Sequence, residues 1–310
     1  MFLLLSIVSA HAASGAPSAL EDLGITHAPK PPAIDVPAKT RATLDALWPA
    51  IHAAARAWPG YDVLGKPLLI TFADGTALLV EHPAPPPEFH RIIYRGMTAY
   101  VAERFPILDF SFRLDYEFAG SQVTAVREDS KFAVGRLIEL AVHERFHNYQ
   151  KGFHFTSPSH NYDLEEAADV ALATLENRAL ASWLESGDSQ TQLDFAALRL
   201  RRRTLFPYSA DEITQENSEG TARYVEMAAE GAIKGAAAAR GSLIKALRAP
   251  VTVADMPKTR LYAVGAALGL ILESWDSGGW QSQVASGQSI SELVLHRMPL
   301  DRSEAAQRVA

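Results

Sequence analysis

Apolar residues recur along this chain at two periods, and the change of period marks its organisation. From Thr40 to Trp58 they fall at i, i+3 and i+4 (Leu44, Leu47, Ile51, Ala55), which predicts an amphipathic helix ended by Pro59-Gly60, with Pro49 as a kink point inside it. The runs Leu68–Phe72 and Ala77–Val80 flank Asp74-Gly75 and predict a hairpin. His82 to Pro87 is a proline-rich break, and Ile92 to Glu103 fits helix or strand equally. Asp109 to Phe118 alternates, with Phe110, Phe112, Leu114 and Tyr116 on one face. Gly120-Ser121 then turns the chain into a partner strand, Gln122 to Arg127.

The period lengthens again after Asp129 and Ser130, which can cap a helix running from about Lys131 to Gln150. Val134, Leu137, Ile138 and Ala141 form its apolar stripe. Beyond it, Leu164–Leu184, Leu193–Leu205, Ala210–Ala238 and Leu261–Ser274 all carry helical periods. The last is rich in small residues (Ala263, Gly265, Ala266, Ala267, Gly269), which suits close helix packing. The expected fold class is therefore α+β: a small, mainly antiparallel sheet, one helix packed behind it, and a mostly helical C-terminal half.

Composition narrows the chemistry. The 310 residues are 48% hydrophobic and 21% charged, the balance of an ordinary globular chain. A net charge of -7 gives no reason to expect nucleic acid, and Arg201-Arg202-Arg203 reads as a solvated helix face. Cysteine is absent, so disulfides, thiolate metal sites and a cysteine nucleophile are excluded. Phe2–Val8 with Ala10-His11-Ala12 reads as an export signal over residues 1–13, though without a basic flank. A Pro/Ala-rich lead-in over 14–37 follows, then one domain over 38–310, with sheet and first helix in 38–150 and a helical subdomain in 151–310. No segment reads as membrane-spanning, and the expected location is periplasmic or secreted.

The helix over 131–150 contains His143-Glu144-Arg145-Phe146-His147, an H-E-x-x-H pattern. Two histidines at i and i+4 share one helix face and can reach one zinc ion, while Glu144 can serve as general base toward water at that metal. A third protein ligand is needed. Glu166 follows His147 after 18 residues (148–165), and Glu219 follows after 71 (148–218). Glu219 opens Glu219-Gly220-Thr221-Ala222-Arg223-Tyr224, with Glu216 one turn earlier as a possible hydrogen-bond partner for a ligating histidine.

The pairing of H-E-x-x-H with a downstream E-G-x-A-x-Y resembles the gluzincin branch of the zincin metallopeptidases, over roughly residues 122–232. The resemblance implies a zincin-like fold and one zinc per chain, held by His143, His147 and a glutamate. Spacing in aminopeptidase-N-like members favours Glu166, and local sequence favours Glu219. It also implies peptide-bond hydrolysis with Glu144 as general base, a peptide or protein substrate, and an edge strand along the cleft, for which Gln122–Arg127 is expected. A Tyr or His from the helical half is expected to donate to the developing oxyanion; Tyr262 comes first, with Tyr224 and His160 as alternatives. His154, in the loop after the active-site helix, could also face the cleft. The other reading is an inactive zincin-like protein that binds zinc or a partner. No G-x-S-x-G is present, and no G-x-M-E-N of the aminopeptidase kind.

Overall fold

Six short strands make one sheet, and its order explains which residues reach the helical half. The computed structural model describes residues 36–128, 133–155, 167–207, 212–275 and 278–298. Helix α1 (Ala38–Ala57) runs through Pro49 unbroken and buries Leu44, Leu47 and Ile51. Strands β1 (Leu68–Thr71) and β2 (Ala77–Val80) form the expected antiparallel hairpin, closed by Asp74 Oδ1 accepting from Thr76. The stretch open to either reading is a second hairpin, β3 (His90–Tyr94) and β4 (Met97–Ala102). Its two turn residues, Arg95 and Gly96, both have positive φ, the geometry of a tight primed turn.

Strands β5 (Phe112–Phe118) and β6 (Ser121–Arg127) complete the order β3-β4-β2-β1-β6-β5. The sheet is mixed, because β6 runs parallel to β1 while every other pairing is antiparallel. Two expectations change here. Gln122–Arg127 is an inner strand, so the sheet edge on this side is β5. The β5 alternation is also broken. Arg113 pairs with Ala125 and Tyr116 with Val123, so Leu114 and Asp115 bulge opposite one residue. Phe112, paired with Val126, therefore faces the opposite side from Tyr116.

One sheet face packs on α1 and on α2 (Val134–Gln150), burying Ile70, Leu78, Val80 and Val126 against Leu137, Ile138 and Val142. The other face is covered by aromatic side chains, including Phe89, Phe105 and Phe118. The expected caps Asp129 and Ser130 lie outside the described residues, as do Glu166, His160, the export signal over 1–13 and the lead-in up to residue 35.

The helical half contains α3 (Ala167–Ser186), α4 (Ser189–Leu205), α5 (Glu212–Gln215), α6 (Thr221–Lys234), α7 (Ala236–Arg248), α8 (Thr259–Ser274), α9 (Trp280–Ala285) and α10 (Ile290–Arg297). The continuous helix expected over Ala210–Ala238 is interrupted twice. A π turn, Glu216–Gly220, joins α5 to α6, and Gly235 at φ 97° ends α6 and starts α7. Among the described residues no helix is long and apolar enough to cross a membrane.

Arg202 is not on a solvated face. It is fully buried, 2.5 Å from Asp169 and 2.5 Å from Glu212. Arg199 beside it bonds Glu176 at 2.5 Å and Glu216 at 2.7 Å, and Arg260 pairs with Glu212. This buried charge network ties α3, α4, α5 and α8 to the π turn. Each charge there has an opposite partner, and the arginines hold Glu212 down at about 2 against the upward push of burial.

Candidate metal centre

Helix α2 is fixed from below before it presents anything to the cleft. Phe146 is buried with its ring centroid 5.0 Å from those of Trp58 and Tyr61, and the Tyr61 hydroxyl donates to the Val142 carbonyl at 3.0 Å. His143 and His147, one turn apart, then project toward the π turn. Their Nε2 atoms lie 3.2 Å apart. Oε2 of Glu219 is 3.5 Å from Nε2 of His143 and 3.2 Å from Nε2 of His147. Zinc–nitrogen and zinc–carboxylate bonds of about 2.0–2.1 Å at tetrahedral angles imply ligand–ligand edges of about 3.3 Å, so the triangle has the size that zinc requires.

The second ring nitrogens decide what this convergence means. His143 Nδ1 is 2.8 Å from Oε2 of the buried Glu226, which can only accept. His147 Nδ1 is 2.7 Å from Gln150 Oε1. Gln150 is oriented in turn, since its Nε2 donates to the Ser218 carbonyl at 2.7 Å and to Thr221 Oγ1 at 2.8 Å. With protons on both Nδ1 atoms, both Nε2 atoms offer lone pairs. They meet a carboxylate oxygen, Glu219 Oε2, that is buried without a hydrogen-bond donor. Three acceptors within 3.5 Å of each other require a cation or extra protons between them.

Metal-free, protons fill that role. Burial pushes His143 down, but hydrogen bonds to Glu219 and Glu226 outweigh it and raise it to about 9. Burial likewise pushes Glu219 up, yet hydrogen bonds from His143, His147 and Tyr262 hold it well below the usual carboxylate range. Glu226 is held at about 2 against burial, chiefly by its bond from His143. Among the described residues, His143, His147 and Glu219 are the group able to hold a metal ion.

Glu144 is half-buried at the rim, and burial raises its carboxyl above its ordinary range despite the opposing pull of His143 and His147. Tyr262 reaches the same place from α8, its hydroxyl hydrogen-bonded to Glu219 and its ring stacked on His143 at 5.7 Å and 5°. Burial and Glu219 keep that phenol protonated well above its ordinary range. His143, Glu144, Glu226 and Tyr262 line one end of a cleft of about 550 Å³.

The structure thus brings together His143, Glu144, His147, Glu219 and Tyr262. It removes three other suggestions. Glu216 faces Arg199 in the buried network rather than a histidine. Tyr224 points away from the site, its hydroxyl bonded to Glu273 and its ring against Trp280. His154 is exposed, with its backbone N–H donating to the Ala285 carbonyl at 2.9 Å. Sequence reasoning passed over Glu226 and Gln150. Glu226 lies seven residues, two helical turns, after Glu219, and Gln150 three after His147, so both spacings were available as a signal.

No protein family, curated protein or solved structure matches this chain.

Proposed function

We propose that the chain is an exported zinc metallopeptidase with a zincin-like fold. The observation that carries this reading is the convergence of His143 Nε2, His147 Nε2 and Glu219 Oε2 into a triangle of 3.2–3.5 Å beside Glu144. The donor set fits zinc: two imidazoles and one carboxylate, which would hold the ion between them. Zinc held there supplies Lewis acidity, enough to bring a water's pKa down to about 7.

The chain's own groups do the rest. Glu144 takes the proton of the attacking water and passes it to the leaving amine; burial, which raises its pKa, makes it the stronger base for the first of these steps. Tyr262 stays protonated and can donate to the oxygen that gains charge on the attacked carbonyl. Glu226 and Gln150 keep both imidazoles in the tautomer that leaves Nε2 free. Export rests on Phe2–Val8 and Ala10-His11-Ala12.

The test is Glu144→Gln. It is expected to bind zinc as the wild type does and to lose about 10²–10⁴-fold in chelator-sensitive cleavage of a peptide library. Undiminished turnover by that variant would overturn the mechanism. Zinc binding with no peptide cleaved by the wild type would make the chain an inactive zincin-like binding protein instead.

A further inference from the structure

The cleft beside the metal centre is floored by a closed ring of alternating charges. Arg136 bonds Glu139 at 3.2 Å, and Glu139 bonds Lys234 at 2.7 Å. Lys234 lies 3.6 Å from Glu230, and Glu230 bonds Arg223 at 2.9 Å. Arg223 bonds Glu226 at 2.6 Å, and Glu226 closes the ring on Arg136. Each carboxylate therefore has two cationic partners, and the ring as a whole is neutral.

Neutrality hides an asymmetry in exposure. The carboxylate side chains of Glu139, Glu226 and Glu230 are 1%, 3% and 7% exposed, whereas Arg136 and Lys234 are 41% and 43% exposed. The acids lie beneath and the cations above, so the surface offered to a ligand is positive. Lys258 adds to it. It is exposed on the cleft wall one turn before Tyr262, and no ion pair to it occurs among the described residues. The remaining cleft carboxylate, Glu144, is at the metal end. A cationic ligand group would find every floor carboxylate already paired and would lie against Lys258. An anionic group would find one unpaired ammonium and the outer faces of two more cations.

We infer that this cleft selects a peptide carrying a carboxylate, an acidic side chain or a free C-terminus, with Lys258 as the residue that recognises it. The inference rests on the peptidase reading for the word peptide, but its charge argument does not need hydrolysis. Lys258 bonds the carboxylate directly, and Arg136 and Lys234 supply a long-range field that weakens with salt.

Binding therefore provides the test. Fluorescent peptides matched as Glu, Gln and Lys at each position, each with a free or amidated C-terminus, are titrated into zinc-loaded Glu144→Gln protein. The expected result is about tenfold tighter binding of one carboxylate-bearing member over its neutral match, the scale of one charge-assisted hydrogen bond. Lys258→Glu, an exposed change outside the buried floor, is expected to abolish or invert that preference. A preference for Glu over Gln assigns an acidic side chain; a preference for the free acid over the amide assigns the C-terminus. Equal binding of all members, tighter binding of the Lys series, or a preference unchanged by Lys258→Glu would overturn the proposal. Carboxylate-dependent binding without any wild-type cleavage would sink the peptidase reading alone. Cleavage and binding indifferent to charge would sink this one alone.

Discussion

Gly220 and Gly265 meet backbone to backbone: a Cβ built on Gly220 would lie 2.5 Å from Cα of Gly265. One built on Gly265 would lie 2.4 Å from the Glu216 carbonyl oxygen. Gly220 follows the ligand Glu219, and Gly265 stands three residues after Tyr262. The contact therefore sets the distance between the π turn and the helix that lays a tyrosine over His143. Gly265→Ala is expected to force α8 off the π turn, costing about 1–3 kcal/mol of stability as overpacking does and weakening zinc binding at the same time. Thermal unfolding with and without zinc reads both effects, and an alanine variant unchanged in both would refute the coupling.

The bond from His143 Nδ1 to Glu226 makes a different prediction. Glu226→Gln keeps an acceptor for Nδ1 at the same place but removes the charge that raises the basicity of Nε2. Zinc affinity, measured by competition with a chelator, is expected to fall about 10–100-fold with the fold intact. An unchanged affinity would mean that Glu226 only serves the charge ring.

The proton that His143 holds in the metal-free protein should show in its stability. His143 is raised from 6.5 to about 9, so its contribution is fully present below about 6.5 and is lost as pH rises through about 9. Glu219 and Glu226 are lowered from 4.5, so theirs is present above about 4.5 and is lost as pH falls toward their folded values. The chelated protein is therefore expected to melt highest between about 4.5 and 6.5 and progressively lower toward pH 9. Zinc takes the place of the His143 proton, so the loaded protein should lack the alkaline decline and bind zinc more tightly as pH rises. Parallel melts of the two forms across that range check the sign. An alkaline decline of equal size in both would contradict it.

Much of this arrangement is legible in the sequence. His143 and His147 share a face because four residues nearly complete a helical turn, and that arithmetic survives any packing. Glu219 is marked by the E-G-x-A-x-Y pattern, and the reason for its glycine is visible in the backbone contact of Gly220 with Gly265. What escaped depends on tertiary context. A π turn leaves no simple period, and here it is held by partners far along the chain. Asn217 bonds Gln288 and Ile290, while Thr221 and Gln150 satisfy the turn's carbonyls. Arg202 looked like surface because nothing local reveals that Asp169 and Glu212 will enclose it. The β5 bulge is hidden by an unbroken alternation of apolar residues (Phe110, Phe112, Leu114, Tyr116), since alternation is blind to an extra residue. The inner position of β6 followed from its parallel pairing with β1, a long-range choice that a local pattern does not encode.

Metal content tests the central claim most directly. Purified wild-type protein, dialysed against zinc and then against metal-free buffer, is expected to retain about one zinc per chain, and Glu219→Ala to retain far less. Glu144→Gln, which alters the base and leaves the ligands, is expected to match the wild type. A wild type that holds no zinc, or a Glu219→Ala variant that holds as much as the wild type, would contradict the site drawn here.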